Sequence, residues 1–243
     1  LDKTEEKVMT VGYARPVGVL KVSKVIGIPR EKLSFREVLY WTMPHGEVQG
    51  EEVWKWRVAN APRILNQLWK LQVMKAASRV SGYPFMYGTL WVRKFDGLTG
   101  RDTLFGIASF MVITTVGRDE IVDEFDAATA AGFDLTTFNF HGLGTGVTAE
   151  AVGDTALVTE LTTEYTGNVR ATGVQTQPTS DVYRTVGVNT LDSGTPTVTE
   201  HGIFSASSAG TLLDRSLTGA FPLVGTNGDG LQTTYNLTIA SGG

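Results

Sequence analysis

Three histidines, His45, His141 and His201, are the side chains of this sequence best suited to metal binding or general acid–base work. No two lie within five residues of each other, and cysteine is absent. A transition-metal site would have to be assembled from distant parts of the chain, and thiolate ligands, thiol nucleophiles and disulfides are excluded. Nucleophilic catalysis needs a hydroxyl, an imidazole and a carboxylate together, and His201, Ser205 and Asp214 are close enough in sequence to offer that trio. No Gly-x-Ser-x-Gly elbow surrounds the serine, however, and residues 199–205 alternate like a strand. That geometry would put His201 and Ser205 on one face, roughly 13 Å apart.

The acids at 119–126, Asp119, Glu120, Asp123, Glu124 and Asp126, supply oxygens of the kind Ca²⁺ takes, but without the glycine-containing loop of an EF-hand. The same run suits the solvated first turns of a helix, where carboxylates oppose the dipole. Gly142-Leu143-Gly144-Thr145-Gly146 follows a strand-like segment, yet it lacks the G-x-G-x-x-G spacing and any lysine. It is therefore expected to be a turn needing positive φ rather than a phosphate cradle. No pair of carboxylates stands out as a glycosidase acid and nucleophile, and no cofactor is expected.

Interaction chemistry is better represented. In the stretch 51–58, Trp54, Lys55, Trp56 and Arg57 interleave aromatic and cationic side chains, and Trp41 and Trp69 place four of the five tryptophans in the first third of the chain. Aromatics with arginine favour interface centres, so Trp41, Trp54, Lys55, Trp56 and Arg57 form a candidate docking surface. The same tryptophans would serve equally as a small core.

The elements that must carry these residues fall into two regions. Residues 1–86 are expected to be mixed: an extended arm over 8–25, a short helix opened by the capping-box spacing Ser34-Phe35-Arg36-Glu37 and closed before Pro44, and an amphipathic helix over 62–80. That second helix starts with Asn60 or Ala61 as cap, runs Ile64, Leu65, Leu68, Leu71 and Lys75 along one stripe, and stops at Ser81-Gly82-Tyr83-Pro84. From residue 87 the period becomes two. A hairpin is expected over 90–116 around Asp96-Gly97-Leu98-Thr99-Gly100, followed by one short helix over 119–131 and then strands. Val182, Val186 and Val188 alternate with Tyr183, Thr185 and Gly187; in the last strand Leu231, Thr233, Tyr235, Leu237 and Ile239 define a buried face opposite a wet face of Gln232, Thr234, Asn236 and Thr238. Residues 87–243 are thus expected to form an antiparallel β-sandwich, jelly-roll-like in character.

Composition narrows the classes. Over 243 residues, 42% hydrophobic content supplies a core, and no apolar run of membrane-spanning length occurs. The acidic opening Leu1-Asp2-Lys3-Thr4-Glu5-Glu6 lacks a signal peptide's apolar core, which reads as cytosolic origin. Net charge is −4, divided as +8 over 1–118 and −12 over 119–243. A basic foot on an acidic support and an acidic head in solvent would give that polarity. The basic residues are scattered among acids with no nucleic-acid-binding motif, so nucleic acid is an unlikely partner.

Several segments also carry a resemblance. Gly106-Ile107-Ala108-Ser109, Val112-Ile113-Thr114-Thr115, Phe140-His141-Gly142-Leu143-Gly144-Thr145-Gly146, residues 148–157, Tyr183-Arg184-Thr185-Val186, Thr199-Glu200-His201-Gly202-Ile203-Phe204-Ser205 and Gly210-Thr211-Leu212-Leu213-Asp214-Arg215-Ser216 occur in one order. Together, over about 88–243, they resemble an uncharacterised family of virion structural proteins of tailed phages. The resemblance implies a non-enzymatic particle component made in the bacterial cytoplasm and residing in the virion. Its partners would be the major capsid protein or neighbouring tail or neck proteins, and copies of itself, with a trimer as one arrangement. A capsid decoration or cement protein is the leading expectation. A tail, baseplate or fibre protein is the alternative, and a carbohydrate-binding module is a third.

Overall fold

The computed structural model describes residues 35–43, 50–123 and 135–240. The expected arm over 8–25, His45, Glu124 and Asp126 lie outside them.

The first helix, α1 (Phe35–Thr42), forms where the capping-box spacing indicated. The second, α2, runs over Gly50–Ser81 and so begins well before Pro62. Its buried positions, among them Val53, Trp56, Arg57, Asn60, Ile64, Leu68 and Leu71, recur every three or four residues straight through the proline. The helical period of 51–58 therefore prevails over its two-residue alternation, with Glu51 and Glu52 in the first turn matching the helix dipole. Pro62 costs one backbone hydrogen bond on the exposed side, and continuous burial on the other side carries the helix past it. The acidic run also joins a helix earlier than expected: α3 spans Thr115–Asp123. Thr114 caps its start, its hydroxyl accepting from the Gly117 amide at 3.0 Å.

Nine antiparallel strands make two sheets. β1 (Phe85–Phe95), β2 (Asp102–Ile113), β5 (Val174–Thr179), β6 (Val182–Thr190) and β9 (Gly230–Ala240) form one sheet in the order β2-β1-β9-β6-β5. β3 (Phe140–Gly144), β4 (Ala171–Thr172), β7 (Thr197–Phe204) and β8 (Leu212–Pro222) form the other, in the order β4-β3-β7-β8. The end of β2 crosses from the first sheet to the second, pairing Val112 with Arg215 and Ile113 with Asp214. The result is the expected antiparallel β-sandwich.

One hydrophobic cluster unites the helices with the strands: Val53, Ile64 and Leu68 of α2 share it with Leu90, Phe105, Ile107, Phe221 and Tyr235. Trp56 packs edge-on against Phe105, with ring centroids 5.6 Å apart. Two glycines permit this contact. Gly106 (φ +102°) passes so close to α1 that a Cβ there would come 2.6 Å from the Trp41 carbonyl oxygen, and at Gly219 (φ +81°) a Cβ would meet Asn60 of α2 at 2.3 Å.

Two strand faces differ from the sequence reading. In β6 the valines point outward: Val188 is exposed, while Thr185, Gly187 and Asn189 are buried. In β9 the face expected to be wet is covered, with Thr234, Asn236 and Thr238 all buried, whereas Ile239 is exposed. β9 is the central strand of its sheet, and its neighbours reach across it: Arg184 donates to Asn236 at 2.7 Å, and Asn236 donates to Thr89 at 3.3 Å.

Candidate functional site

The residues with chemical capability converge inside the sandwich. β3 and β7 each carry a His-Gly-aliphatic tripeptide, His141-Gly142-Leu143 and His201-Gly202-Ile203, and antiparallel pairing sets Gly142 against Gly202 with each histidine opposite the other strand's aliphatic residue. Both imidazoles then point inward. His141 Nδ1 lies 3.1 Å from His201 Nε2 and 2.7 Å from the Thr233 hydroxyl of β9, and its Nε2 lies 3.0 Å from the Thr185 hydroxyl of β6. A ring rooted in one sheet is thus hydrogen-bonded to two strands of the other. Room for it comes from Gly173 and Gly187, where a Cβ would come 2.7 Å and 2.5 Å from the ring. The backbone is fixed as well, because Asn189 donates to the His141 carbonyl at 3.0 Å.

Ser216, cross-strand partner of His201, and Asp214, partner of Ile203, extend this polar layer along β8. Asp214 is fully buried, and its carboxyl interacts with the Tyr235 hydroxyl of the opposite sheet, although neither makes a hydrogen bond of regular geometry. His201 Nδ1 and the Ser216 hydroxyl also lack a protein partner. Burial penalises every charged form here. It lowers His141 to about 3. It lowers His201 well below the ordinary histidine range, with the neighbouring His141 adding to the effect. Asp214 is raised well above the ordinary carboxylate range by burial, against the Tyr235 hydrogen bond and with the help of Glu150. Neutral imidazoles beside a carboxyl that burial drives toward its protonated form make a layer that hydrogen-bonds without charge.

The trio His201, Ser205 and Asp214 is not assembled. Ser205 sits in the β7–β8 turn, where its hydroxyl accepts from the Thr211 amide at 2.8 Å, while His201 lies inside. Nor do three carboxylates or histidines converge on a metal-sized point among the described residues. Of the acids at 119–123, Asp119 pairs with Arg118 on the surface and Glu120 accepts from Thr211 at 3.3 Å.

Charge appears instead on the outer face of the β3-β7-β8 sheet. Glu200 and Arg215 are both buried and joined at 2.8 Å. Glu200 also accepts the amides of Gly146, Val158 and Thr159, while Arg215 donates to Asp154 at 2.8 Å and to the Thr148 carbonyl at 2.9 Å. Burial pulls Arg215 down, but its bonds to Asp154 and Glu200 outweigh that and raise it. Buried ions need such complete partnering. The pair pins the long segment after β3 across the sheet, and Arg170 does the same further on, paired with Glu160 and lying 3.4 Å over the Phe204 ring. The glycine string at 142–146 serves this layer. None of Gly142, Gly144 and Gly146 has positive φ, contrary to the turn expected there. A Cβ on Gly144 or Gly146 would instead meet Glu200 at 2.5 Å.

The five residues of the candidate docking surface do not share a face. Helical geometry sends Trp56 and Arg57 into the core, leaves Trp54 and Lys55 in solvent, and packs Trp41 half-buried against Trp91 at 5.6 Å. Arg57 has a different task. β2 carries two bulges against β1, which leave Phe105 and Ala108 as extra residues. Each carbonyl is taken by an arginine of α2: Arg57 donates to Phe105 at 3.0 Å and Arg63 to Ala108 at 2.9 Å. Arg57 also donates to the Tyr40 and Met43 carbonyls at the end of α1, which no helical turn could satisfy. Burial lowers this guanidinium to about 10, so it remains a cation at neutral pH.

Set against known proteins, the chain matches no family model, and no curated protein matches it.

Proposed function

We propose that this protein is a structural component of a tailed-phage particle, and specifically a capsid decoration protein that stabilises the shell by burying surface against it and against its own copies. The observation that carries this reading is the use made of its chemically capable residues. His141, His201, Asp214, Glu200 and Arg215 are all buried and all committed to holding one layer of the molecule on the next. The segments that resemble virion proteins contain these same residues, which fits a resemblance rooted in the fold.

What the molecule offers to partners is surface. Its exposed aromatic side chains, including Phe35, Tyr40, Trp54, Trp69 and Tyr83, lie on and beside the helices. Among the described residues of 87–240, every tryptophan, tyrosine and phenylalanine is buried or half-buried. A carbohydrate-binding module would need an aromatic strip on the sandwich, so this distribution favours docking through the helical side over glycan binding.

Stripping the protein from purified particles with mild denaturant tests the role. Heads should then release their DNA at lower temperature, and adding the purified chain back should restore them. Stripped heads as robust as intact ones, or a chain confined to the tail, would remove the decoration role.

A further inference from the structure

Helix α2 has a second apolar face that its own chain does not cover. Trp54, Val58, Leu65, Trp69, Val73 and Val80 lie along it, roughly 140° around the helix from the core-facing side at 100° per residue. Trp69 is 68% exposed and Val80 90% exposed, although a helix this long that packs on a sheet ordinarily turns polar side chains outward. With Ala61 and Ala76 the face occupies positions 54, 58, 61, 65, 69, 73, 76 and 80. The steps between them are 4, 3, 4, 4, 4, 3 and 4, the same read in either direction.

We infer that this face pairs with α2 of a second copy in an antiparallel, two-fold arrangement. A pattern symmetric about its centre is what a two-fold axis requires, since each patch must complement itself reversed. A partner of another kind gives no reason for that symmetry. In the antiparallel register Trp69 meets Leu65 of the other copy at the centre, Val58 meets Ala76, Ala61 meets Val73, and Trp54 meets Val80, so that large side chains face smaller ones. Charge agrees with this direction. Glu51 and Glu52 stand at the first turn and Lys70 and Arg79 toward the last, all exposed, so each acidic end lies beside a basic end and the helix dipoles oppose. The Glu51–Lys55 bridge is a surface pair, weak enough to be exchanged. A parallel pair would put like ends together.

The face is about 40 Å long and about one helix wide, on the order of 400 Å² per copy. That is below the size of a standard interface, so the dissociation constant should be on the order of 10 μM or weaker. Such a contact forms fully only where copies are held close, as on a repeating surface, although the inference itself does not depend on where the protein acts.

Sedimentation velocity of the whole chain, from about 5 to 500 μM, reads the equilibrium directly, the range bracketing that estimate. A monomer–dimer shift is expected, and Trp69→Glu should weaken it at least about tenfold while leaving the circular dichroism unchanged. A wild-type chain that stays monomeric, forms trimers, or associates equally well as Trp69→Glu overturns the inference. Because the chain has no cysteine, cross-linking gives a second, independent reading. Val58→Cys mixed with Ala76→Cys should yield a disulfide-linked dimer, and Val58→Cys alone should not; the reverse result overturns the antiparallel register. A monomer that is abundant in particles would sink this pairing and leave the particle reading standing, whereas a dimer absent from particles would do the opposite.

Discussion

Two histidines and one aspartate at the centre of the sandwich make stability depend on pH in opposite directions. An unfolded histidine titrates near 6.5, whereas folded His141 is held at about 3 and His201 is also depressed. On acidification below 6.5 the unfolded chain takes up protons that the folded chain refuses, so stability falls by about 1.4 kcal/mol per pH unit for each histidine. Asp214 is raised, so its contribution is complete below the unfolded carboxyl value near 3.9 and is lost as pH rises toward its folded value, with about the same slope. Two histidines outweigh one carboxyl below about 6.5, and only Asp214 remains above it. Urea midpoints measured across pH should therefore peak near pH 6.5, and Asp214→Asn should flatten the alkaline side alone. A midpoint that is flat from pH 4 to 9 would show that these groups are not buried in neutral form. The cage around His141 is a separate matter of volume. Gly187→Ala would push a methyl group to 2.5 Å from the ring and should cost about 1–3 kcal/mol in calorimetry. None of this polar layer was legible residue by residue, because His141 and His201 are 60 positions apart and meet only through strand pairing. A signal did exist, in the His-Gly-aliphatic tripeptide shared by both strands, where glycine beside histidine marks close approach on one face and a ring on the other.

At the scale of elements, α2 acts as a splint for β2. The two bulges that let β2 leave one sheet and join the other expose the Phe105 and Ala108 carbonyls, and Arg57 and Arg63 take one each. Arg57→Ala should cost about 3 kcal/mol and raise amide exchange in α1, whose last carbonyls it also satisfies; Arg57→Lys should recover little, since a point charge cannot reach both acceptors. Equal exchange in wild type and variant would show that the splint is dispensable. Sequence periodicity was a sound guide to the existence of these elements and a poorer one to their faces. The hairpin of β1 and β2 and the long strand β9 follow from alternation and turn residues. The orientation of β6 does not, because its interior is polar: Thr185, Gly187 and Asn189 face inward to serve His141, and the valines face out. The same limit applies to 51–58, where aromatic and cationic residues satisfy a two-residue and a helical period at once, and burial of Val53, Trp56 and Arg57 on one side decides between them.

For the whole molecule, the uneven charge along the chain takes on spatial meaning. The helical part carries cations and exposed aromatics, while the three arginines after residue 118, Arg170, Arg184 and Arg215, are all internal. The sandwich therefore presents acids and small polar residues outward, as suits a head in solvent, and the helical side is left to make contacts. Stability in such a protein comes from burial repeated over many copies, each contact being worth little alone. The most direct test is the number of chains per particle, by quantitative mass spectrometry of purified virions from the phage that encodes it. The account expects copies comparable in number to the major shell protein. A chain abundant in the infected-cell lysate but absent from purified particles would contradict it.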